Sequence, residues 1–421
     1  MAQLTETAGP ILTTADGTPL KQALARATRR SKMRALMLVA PLVVFILVTF
    51  IIPIVDMLAR SVSNPEVQAA IPETAALLAE WDGTDLPPEA VFAALAKELA
   101  DEGKRRDIGR MAGRLNFEDS GFRSLFNKTQ RRIDRVKSAP YKEALIAIDK
   151  DWGETSTWKV IQLLSPPTTF SYYLNAVDRT YDENGNVVMQ PEWKQIYVQL
   201  FLKTIYVSLG VTLCCLILSY PIAHLLAVLP AGKGNLLLIL VLLPFWTSLL
   251  VRTTSWIVLL QTNGVINDTL VWLGVISDDN RITMIYNMTG TVIAMTHILM
   301  PFMVLPLYSV MKTISPSYLR AARSLGANPV VAFVRVYMPQ TVPGVGAGSI
   351  LVFILAIGYY ITPALVGGQD GQLISNFIAY HMQKSLNWGL AAALGTILLA
   401  GVLALYWLYD RIVGIDNMKL G

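Results

Sequence analysis

Charged residues are scarce in this sequence of 421 residues, where Asp, Glu, Lys and Arg together make up only 15% of the chain. An average soluble protein has about 25%. Hydrophobic residues account for 53% of the chain. So little charge cannot cover the surface of a water-soluble globule of this length, and the composition therefore indicates a polytopic membrane protein. It argues against a disordered, collagen-like or disulfide-built chain.

Cysteine and histidine are also rare. The two cysteines, Cys214 and Cys215, are adjacent within an apolar run. Neighbours in a helix point in different directions, which argues against a disulfide between them, and we interpret both as small apolar side chains. The three histidines, His224, His297 and His381, are scattered. No pair of them has the spacing of a metal site, so we predict no metal ligands on this chain.

Six stretches without Asp, Glu, Lys or Arg are long enough, or nearly so, for the helix of about 20 residues that crosses a bilayer. They are residues 35–55, 204–232, 234–251, 282–311, 336–369 and 385–409. The third is short, and we predict for it a helix over 235–260 that places Arg252 toward one membrane interface. No small-residue cleavage pattern follows the first stretch, which predicts a retained helix rather than a signal peptide.

Lys and Arg are unevenly shared among the connections. Residues 1–34 carry six of them against two acids, and residues 312–335 carry four and no acid. Residues 261–281 carry one base against three acids. Because basic residues concentrate on the cytoplasmic side, this pattern predicts six spans with both termini in the cytoplasm.

The segment 61–200, between the first two spans, has a soluble composition, with 17 Lys and Arg against 21 Asp and Glu. Helical periodicity over 88–100 and 124–148, and a hairpin turn signal at Asn184-Gly185, predict a mainly helical periplasmic domain that ends in a short hairpin. Nearby acids balance its basic clusters, so we predict no nucleic-acid binding. The predicted organisation is a tail 1–34, a first span 35–60, the insert with its lead-in 61–200, a five-helix core 201–412 and a tail 413–421.

The inner connection between spans four and five has a helix start at Ser315-Pro316 and a helix stop at Gly326. The resulting helix is too polar to cross a membrane. Two arginines share one side of it, and two alanines let another surface approach closely: Arg320, Ala321, Ala322 and Arg323. These features fit a docking helix on the cytoplasmic face, and they also fit an ordinary helix lying on the membrane surface.

Residues 320–326 (Arg-Ala-Ala-Arg-Ser-Leu-Gly) and 336–339 (Val-Tyr-Met-Pro) resemble the cytoplasmic EAA loop of ABC importer permeases. The alanines, the glycine and the proline match in register, whereas Arg320 stands where the family has Glu. Further segments resemble the spermidine/putrescine class of these permeases: 219–223, 243–252, 264–267, 272–276 and 301–308. The resemblance covers about residues 35–60 and 168–412 and leaves out about 62–167.

The resemblance implies an all-α polytopic membrane protein with six transmembrane helices of the type I ABC importer permease architecture. It implies a bacterial inner-membrane location, and as partners a cytosolic ATPase dimer, a second permease subunit (a different chain is favoured), a periplasmic solute-binding protein and the lipid bilayer. The chain has no P-loop pattern, so we expect no catalytic residue and no cofactor on it, with ATP and Mg²⁺ on the partner ATPase. The ATPase-coupling residues implied within the loop 313–343 are Arg320, Ala321, Ala322, Arg323, Gly326 and Pro339.

Aromatic and hydroxyl side chains in spans three and five are the candidates for contact with a polyamine, since aromatic faces attract cations. They are Trp246, Thr247, Trp256, Tyr359, Tyr360 and Thr362. Packing or interface anchoring is the other interpretation of such residues.

Three alternatives remain open. The same machinery could import another small solute, such as an amino-acid derivative. An ion-coupled secondary transporter is disfavoured because the spans lack the acids that mark ion coupling. A membrane-anchored enzyme or sensor is disfavoured because the insert has no histidine or cysteine.

Overall fold

The computed structural model describes residues 20–136, 138–182 and 184–413. Most of the tail predicted over 1–34, and nearly all of that predicted over 413–421, lie outside the described residues. The chain divides into two compact units, Met1–Ala59 and Arg60–Gly421. The domain boundaries given above stay a prediction.

The first apolar helix is long and has one irregular turn. Helix α1 (Leu20–Ile46) continues through a π-helical turn at Leu47–Ile51 into α2 (Ile52–Arg60). Its large apolar side chains from Leu36 to Leu58 are exposed within the chain. A helix that is apolar and exposed on all sides is typical of one surrounded by lipid.

The insert is built from short helices around one apolar core. Its elements are α3 (Glu66–Ala70), α4 (Pro72–Ala79), α5 (Glu89–Ala100), α6 (Arg105–Glu118), α7 (Phe122–Arg132), α8 (Tyr141–Ile148), α9 (Thr155–Leu163), α10 (Ser171–Ala176), β1 (Arg179–Tyr181) and β2 (Val187–Met189). The predicted helix 88–100 and the predicted hairpin are confirmed, since β1 and β2 pair antiparallel with Thr180 opposite Val188. The periodic stretch 124–148 is interrupted between α7 and α8, where Pro140 is extended.

The insert leaves and rejoins the chain at one neck. Ser63 and Thr168 form a β-bridge, and the Asn64 side-chain amide donates to the carbonyls of Leu164 and Pro166 at 2.6 and 3.0 Å. Beyond the neck, the buried Asp178 carboxylate accepts hydrogen bonds from the backbone N–H groups of residues 196, 197 and 198. Asp178 therefore caps the following span, because these donors have no partner within the helix.

The core contains the remaining helices. They are α11 (Tyr197–Val228), α12 (Ala231–Leu242), α13 (Leu249–Leu260), α14 (Val265–Trp272), α15 (Met288–Thr313), α16 (Pro316–Ser324), α17 (Pro329–Ala332), α18 (Met338–Ile357), α19 (Ile361–Val366), α20 (Ile374–Gln383) and α21 (Trp388–Val413). In the described part of the chain, five helical stretches, including the first, are long and apolar enough to cross a membrane. A bent pair brings the number to six.

That bent pair corrects the prediction for the third span. The prediction of a continuous helix over 235–260 is wrong, because the helix breaks after Trp246 and the chain bends there by 97°. Pro244 begins a 3₁₀ turn, Thr247 is extended, and the Ser248 hydroxyl caps the second arm by accepting from the backbone N–H of Val251. Arg252 consequently lies in the first turn of α13 at the bend, and not toward the end of a straight span.

Helices α11, α15 and α18 form the centre of the core and approach closely through small residues. A Cβ atom added at Gly348 would lie 2.6 Å from Met303 Sδ, and one at Gly344 would lie 3.2 Å from the Pro306 carbonyl oxygen. Such contacts allow α18 to pack directly on the backbone of α15, as is typical of membrane helices. Both cysteines are free thiols, as predicted; Cys215 is buried, with its Sγ 3.4 Å from the Thr296 carbonyl oxygen.

Candidate coupling surface and transport pathway

The loop between α15 and α18 carries a short helix whose two ends are fixed by local chemistry. The Ser315 hydroxyl accepts from the backbone N–H of Ser317 at 3.3 Å, and Pro316 occupies the first turn of α16. After the helix, Gly326 has a φ of +87°, a conformation that side chains other than glycine rarely adopt. The Asn328 side chain then caps α17 by accepting from Val331 N at 2.8 Å. The predicted short helix and its stop are confirmed.

The segment 316–331 is largely exposed and mixes apolar with basic residues. Tyr318, Leu325 and Val330 expose 53%, 88% and 70% of their surface. Arg320 and Arg323 are exposed beside them. Apolar side chains rimmed by charge mark interaction sites on proteins. We call residues 316–331 the coupling surface.

The coupling surface is fixed to the core by aromatic packing just behind it. Phe333 and Tyr337 stack with ring centroids 5.3 Å apart, and the His224 ring of α11 meets both edge-on at 5.2 and 5.0 Å. Leu319 of α16 also packs against the main core cluster. The helix α16 therefore contacts the same core cluster as side chains of α11 and α18. Sequence reasoning missed this cluster, and only the aromatic spacing 333–337 in the chain hinted at it.

The predicted coupling residues do not all lie on one surface. Arg320, Ala321, Arg323 and Gly326 are exposed, whereas Ala322 is half-buried. Pro339 is exposed within the first turn of α18, beyond the coupling surface.

A second cluster joins α13, α15 and α19. The Trp256 indole N–H donates to His297 Nδ1 at 3.1 Å, and the hydroxyls of Thr253 and Thr362 lie 3.3 Å apart. Buried indole N–H groups usually find such a partner, which is the signal that could have pointed to His297. His297 accepts a structural hydrogen bond here.

Tyr359 and Tyr360 lie in a break between α18 and α19. Two side chains of α20 satisfy the carbonyl groups around this break: Ser375 Oγ donates to Ile357 O at 2.7 Å, and Asn376 Nδ2 donates to Tyr360 O at 2.8 Å. Non-helical backbone at membrane depth requires such partners and commonly lines a cavity. Tyr359 is half-buried and Tyr360 exposed at this break.

The remaining pathway candidates lie apart from these groups at the bend of the third span. Trp246 exposes 76% of its surface, and the Thr247 hydroxyl donates to the Pro244 carbonyl at 2.8 Å. The structure thus brings Trp256 and Thr362 into the cluster around α13 and leaves Trp246 and Thr247 exposed. Solute contact by any of the six stays a prediction.

A family profile described as binding-protein-dependent transport system inner membrane component matches residues 205–413. The spermidine/putrescine transport system permease protein PotB of Escherichia coli (strain K12) is 38% identical over 221 residues, which cover 52% of this chain and 80% of that protein. This chain belongs to that transport family.

Other proteins are similar over much the same part of the chain. The inner membrane ABC transporter permease protein YdcU of Escherichia coli (strain K12) is 32% identical over 226 residues, 51% of this chain and 71% of that protein. A chain in the crystal structure of a bacterial alginate ABC transporter, in complex with an alginate pentasaccharide-bound periplasmic protein, is 17% identical with a TM-score of 0.44, covering 53% of this chain and 80% of that chain.

Membership of the binding-protein-dependent family confirms several predictions. The chain is a multi-pass, helical, inner-membrane permease of the ABC importer type, and its relatives are permease subunits rather than enzymes. The matched residues 205–413 begin within α11 and include the coupling surface. The insert lies outside the match.

Proposed function

We propose that this chain forms half of the pathway of an ATP-driven importer that carries a polyamine, such as spermidine or putrescine, from periplasm to cytoplasm. The observation that supports this most strongly is its 38% identity to a spermidine/putrescine permease over 80% of that protein. A different small organic solute, such as an amino-acid derivative, handled by the same machinery is the second candidate.

The coupling surface is the proposed seat of a cytosolic ABC ATPase. Leu325 and Tyr318 are exposed in the described chain and present apolar anchors of the kind that dominate interfaces. When the ATPases close, α16 moves as a rigid body, and the aromatic cluster behind it transmits that motion to α11 and α18. Hydrolysis itself takes place on the partner, with its own ATP and Mg²⁺.

Selectivity in this proposal rests mainly with a periplasmic solute-binding protein. Among the described residues of 197–413, no Asp or Glu is buried, so this chain offers no tight site for a polycation. The same feature gives no support to an ion-coupled transporter. Trp256 and Tyr359 make weak, transient contacts with the solute, whereas Thr362 is fully buried. A second permease chain forms the other half of the pathway.

The substrate is tested by uptake of radiolabelled spermidine and putrescine into cells that lack their own polyamine importers and express the complete transporter. We expect uptake that unlabelled polyamine abolishes and that unlabelled amino acids leave unchanged. No uptake of the labelled polyamines, together with uptake of a radiolabelled amino-acid derivative by the same cells, would instead establish the second candidate.

The coupling surface is tested by Leu325→Asp, with Val187→Asp as the matched control because Val187 is an exposed apolar residue of the insert hairpin. We expect Leu325→Asp to lose the co-purifying ATPase and Val187→Asp to keep it. Gly326→Val has no neighbouring atom to strike but strains a positive φ. It should keep the ATPase and hydrolyse ATP with reduced uptake; normal uptake in both variants would refute the role of this surface.

Orientation is tested in a cysteine-free background. A cysteine at the exposed Ser317 is expected to react with an impermeant maleimide only from the cytoplasmic side, because basic residues surround it. A cysteine at Asn186 in the hairpin should react only from outside. The reverse pattern would place the coupling surface away from any cytosolic ATPase.

A further inference from the structure

A cavity of about 760 Å³ lies where the insert meets the last span. Residues of α3 and α6 form one wall, and the connection 385–389, which leads into α21, forms the other. The two walls meet where Gly389 lies directly against the Tyr172 ring of α10, so closely that a Cβ added at Gly389 would collide with it. The cavity therefore belongs to the folded junction and is not a gap between independent parts.

The lining of this cavity is strongly basic. Its charged residues are five arginines and two acids: Arg60, Arg106, Arg110, Arg114, Arg123, Glu66 and Asp107. Arginines outnumber acids around this concavity, which favours an anion because a cavity wall focuses the field of its charges.

One of the five arginines, Arg114, already has hydrogen-bond partners within the protein. Arg114 is 4% exposed and donates to Asn64 Oδ1, Glu118 Oε1 and Ser171 Oγ at 3.0, 2.9 and 2.6 Å. Its guanidinium also lies 4.3 Å from the centre of the Tyr172 ring. These contacts fix the shape of the cavity and leave little of Arg114 for a ligand.

Three other arginines are accessible to a ligand. Arg110 Nη1 forms an ion pair with Asp107 Oδ1 at 3.6 Å, and both side chains remain more than a third exposed. Arg106 and Arg123 have no ion pair with any described residue, and Arg123 lies against the backbone of Gly113, where a Cβ would be 3.3 Å from its Nη2. Guanidinium groups bind phosphate through two parallel hydrogen bonds.

The position of the cavity indicates where such a phosphate would come from. Arg60, the last residue of the first apolar helix, and Trp388, the first residue of α21, both line it. Leu386 and Trp388 expose 64% and 44% of their surface at its rim. Tryptophan and arginine at the ends of membrane helices mark the level of the lipid headgroups.

We propose that this cavity binds the phosphate of an anionic phospholipid headgroup through Arg106, Arg110 and Arg123, with the acyl chains leaving past Leu386 and Trp388. The bound lipid joins the insert to the last span. A soluble phosphate ester offers the same chemistry, and the two sources are separated by experiment. The proposal is independent of which solute the transporter carries.

The test compares two triple variants of the full chain in detergent. The first is Arg106→Gln/Arg110→Gln/Arg123→Gln, and the matched control is Arg105→Gln/Arg131→Gln/Arg132→Gln, which removes three exposed arginines of the insert outside the cavity. Retention of added phosphatidylglycerol is measured by native mass spectrometry, with phosphatidylcholine and glycerol 1-phosphate as parallel probes. Circular dichroism and the Tm without lipid establish that both variants are folded.

We expect wild type and control to retain phosphatidylglycerol over phosphatidylcholine, and the cavity variant to lose about a hundredfold in affinity, as three basic contacts at a membrane surface predict. The lysine version of the cavity variant should recover most of this loss. Strong binding of glycerol 1-phosphate in solution would overturn the lipid source. Equal phosphatidylglycerol retention by the cavity variant and the control would overturn the site itself.

Discussion

The insert and the core are both made of helices, yet they differ in which large apolar side chains stay exposed. In the insert, Trp152, Trp158, Phe92 and Phe126 are fully buried, with ring centroids 4.6 to 5.3 Å apart. In the core, leucines and isoleucines of α11 such as Ile217 are exposed, while glycines of α18 lie against α15. Water drives large apolar groups inward, whereas lipid does not.

The difference shows what stabilises each region. The insert depends on the area that its aromatic residues remove from water, at roughly 25 cal/mol for each Å². The core depends on close packing between backbones and on satisfied polar groups. Its outer apolar side chains gain little free energy from burial, because lipid is as apolar as the protein interior. The same class of substitution should therefore have different effects in the two regions.

Trp158→Ala tests the insert and should have the largest effect. The ring is fully buried, and its N–H donates to the Trp152 carbonyl at 3.0 Å. We expect a loss of about 3–5 kcal/mol in the stability of the insert, because the substitution leaves a large cavity. Limited proteolysis should cut the variant within the insert, whereas Trp193→Ala, which removes a 75% exposed ring, should be cut like wild type.

Gly348→Leu tests the core and is expected to cost about 1–3 kcal/mol through overpacking. The added atoms meet Met303 Sδ at 2.6 Å and push α18 away from α15. Thermal unfolding in detergent measures the loss. Gly401→Leu is the control, because nothing lies within 4 Å of a Cβ at that position; equal shifts in Tm would show that close backbone packing does not stabilise the core.

Asp182→Asn in the hairpin turn should have the smallest effect. Hydrogen bonds from the backbone and side chain of Asn186 are the main causes that hold the pKa of Asp182 below its usual value of 3.8. Because the pKa of Asp182 is lower in the folded state, its carboxylate contributes fully to folding stability at pH values above 3.8. This contribution is lost as the pH falls through the lower folded-state pKa. Carboxyl NMR should show a titration midpoint below 3.8.

The variant itself should exchange the amide protons of residues 184–189 faster than wild type at neutral pH, with the rest of the insert unchanged. An Asp182 midpoint at or above 3.8, together with unchanged exchange, would show that this carboxylate does not stabilise the turn.

Local signals predicted much of the chain because they act within a few residues. The cap at Ser315, the positive φ at Gly326 and the hairpin at Asn184-Gly185 depend on neighbouring residues alone. Long apolar runs likewise predicted the spans. The break after Trp246 was missed because proline is often tolerated inside membrane helices, whereas here a 3₁₀ turn, an extended Thr247 and the cap at Ser248 together turn the chain.

Pairings between distant residues could not be predicted in the same way. Nothing in the order of residues joins Trp256 to His297, or places Phe333 against His224. The arginines of α6 and α7 look like ordinary solvated helix faces in the sequence, and the fold collects them beside the start of α21.

The sequence by itself determined that this chain crosses a membrane and that a capped polar helix lies between two spans, since hydropathy and capping are properties of short segments. The tertiary structure alone decided which side chains meet across the bundle, where the third span bends, and that the insert and last span enclose a basic cavity. These depend on contacts between residues far apart in the chain, whose geometry exists only once the helices have packed.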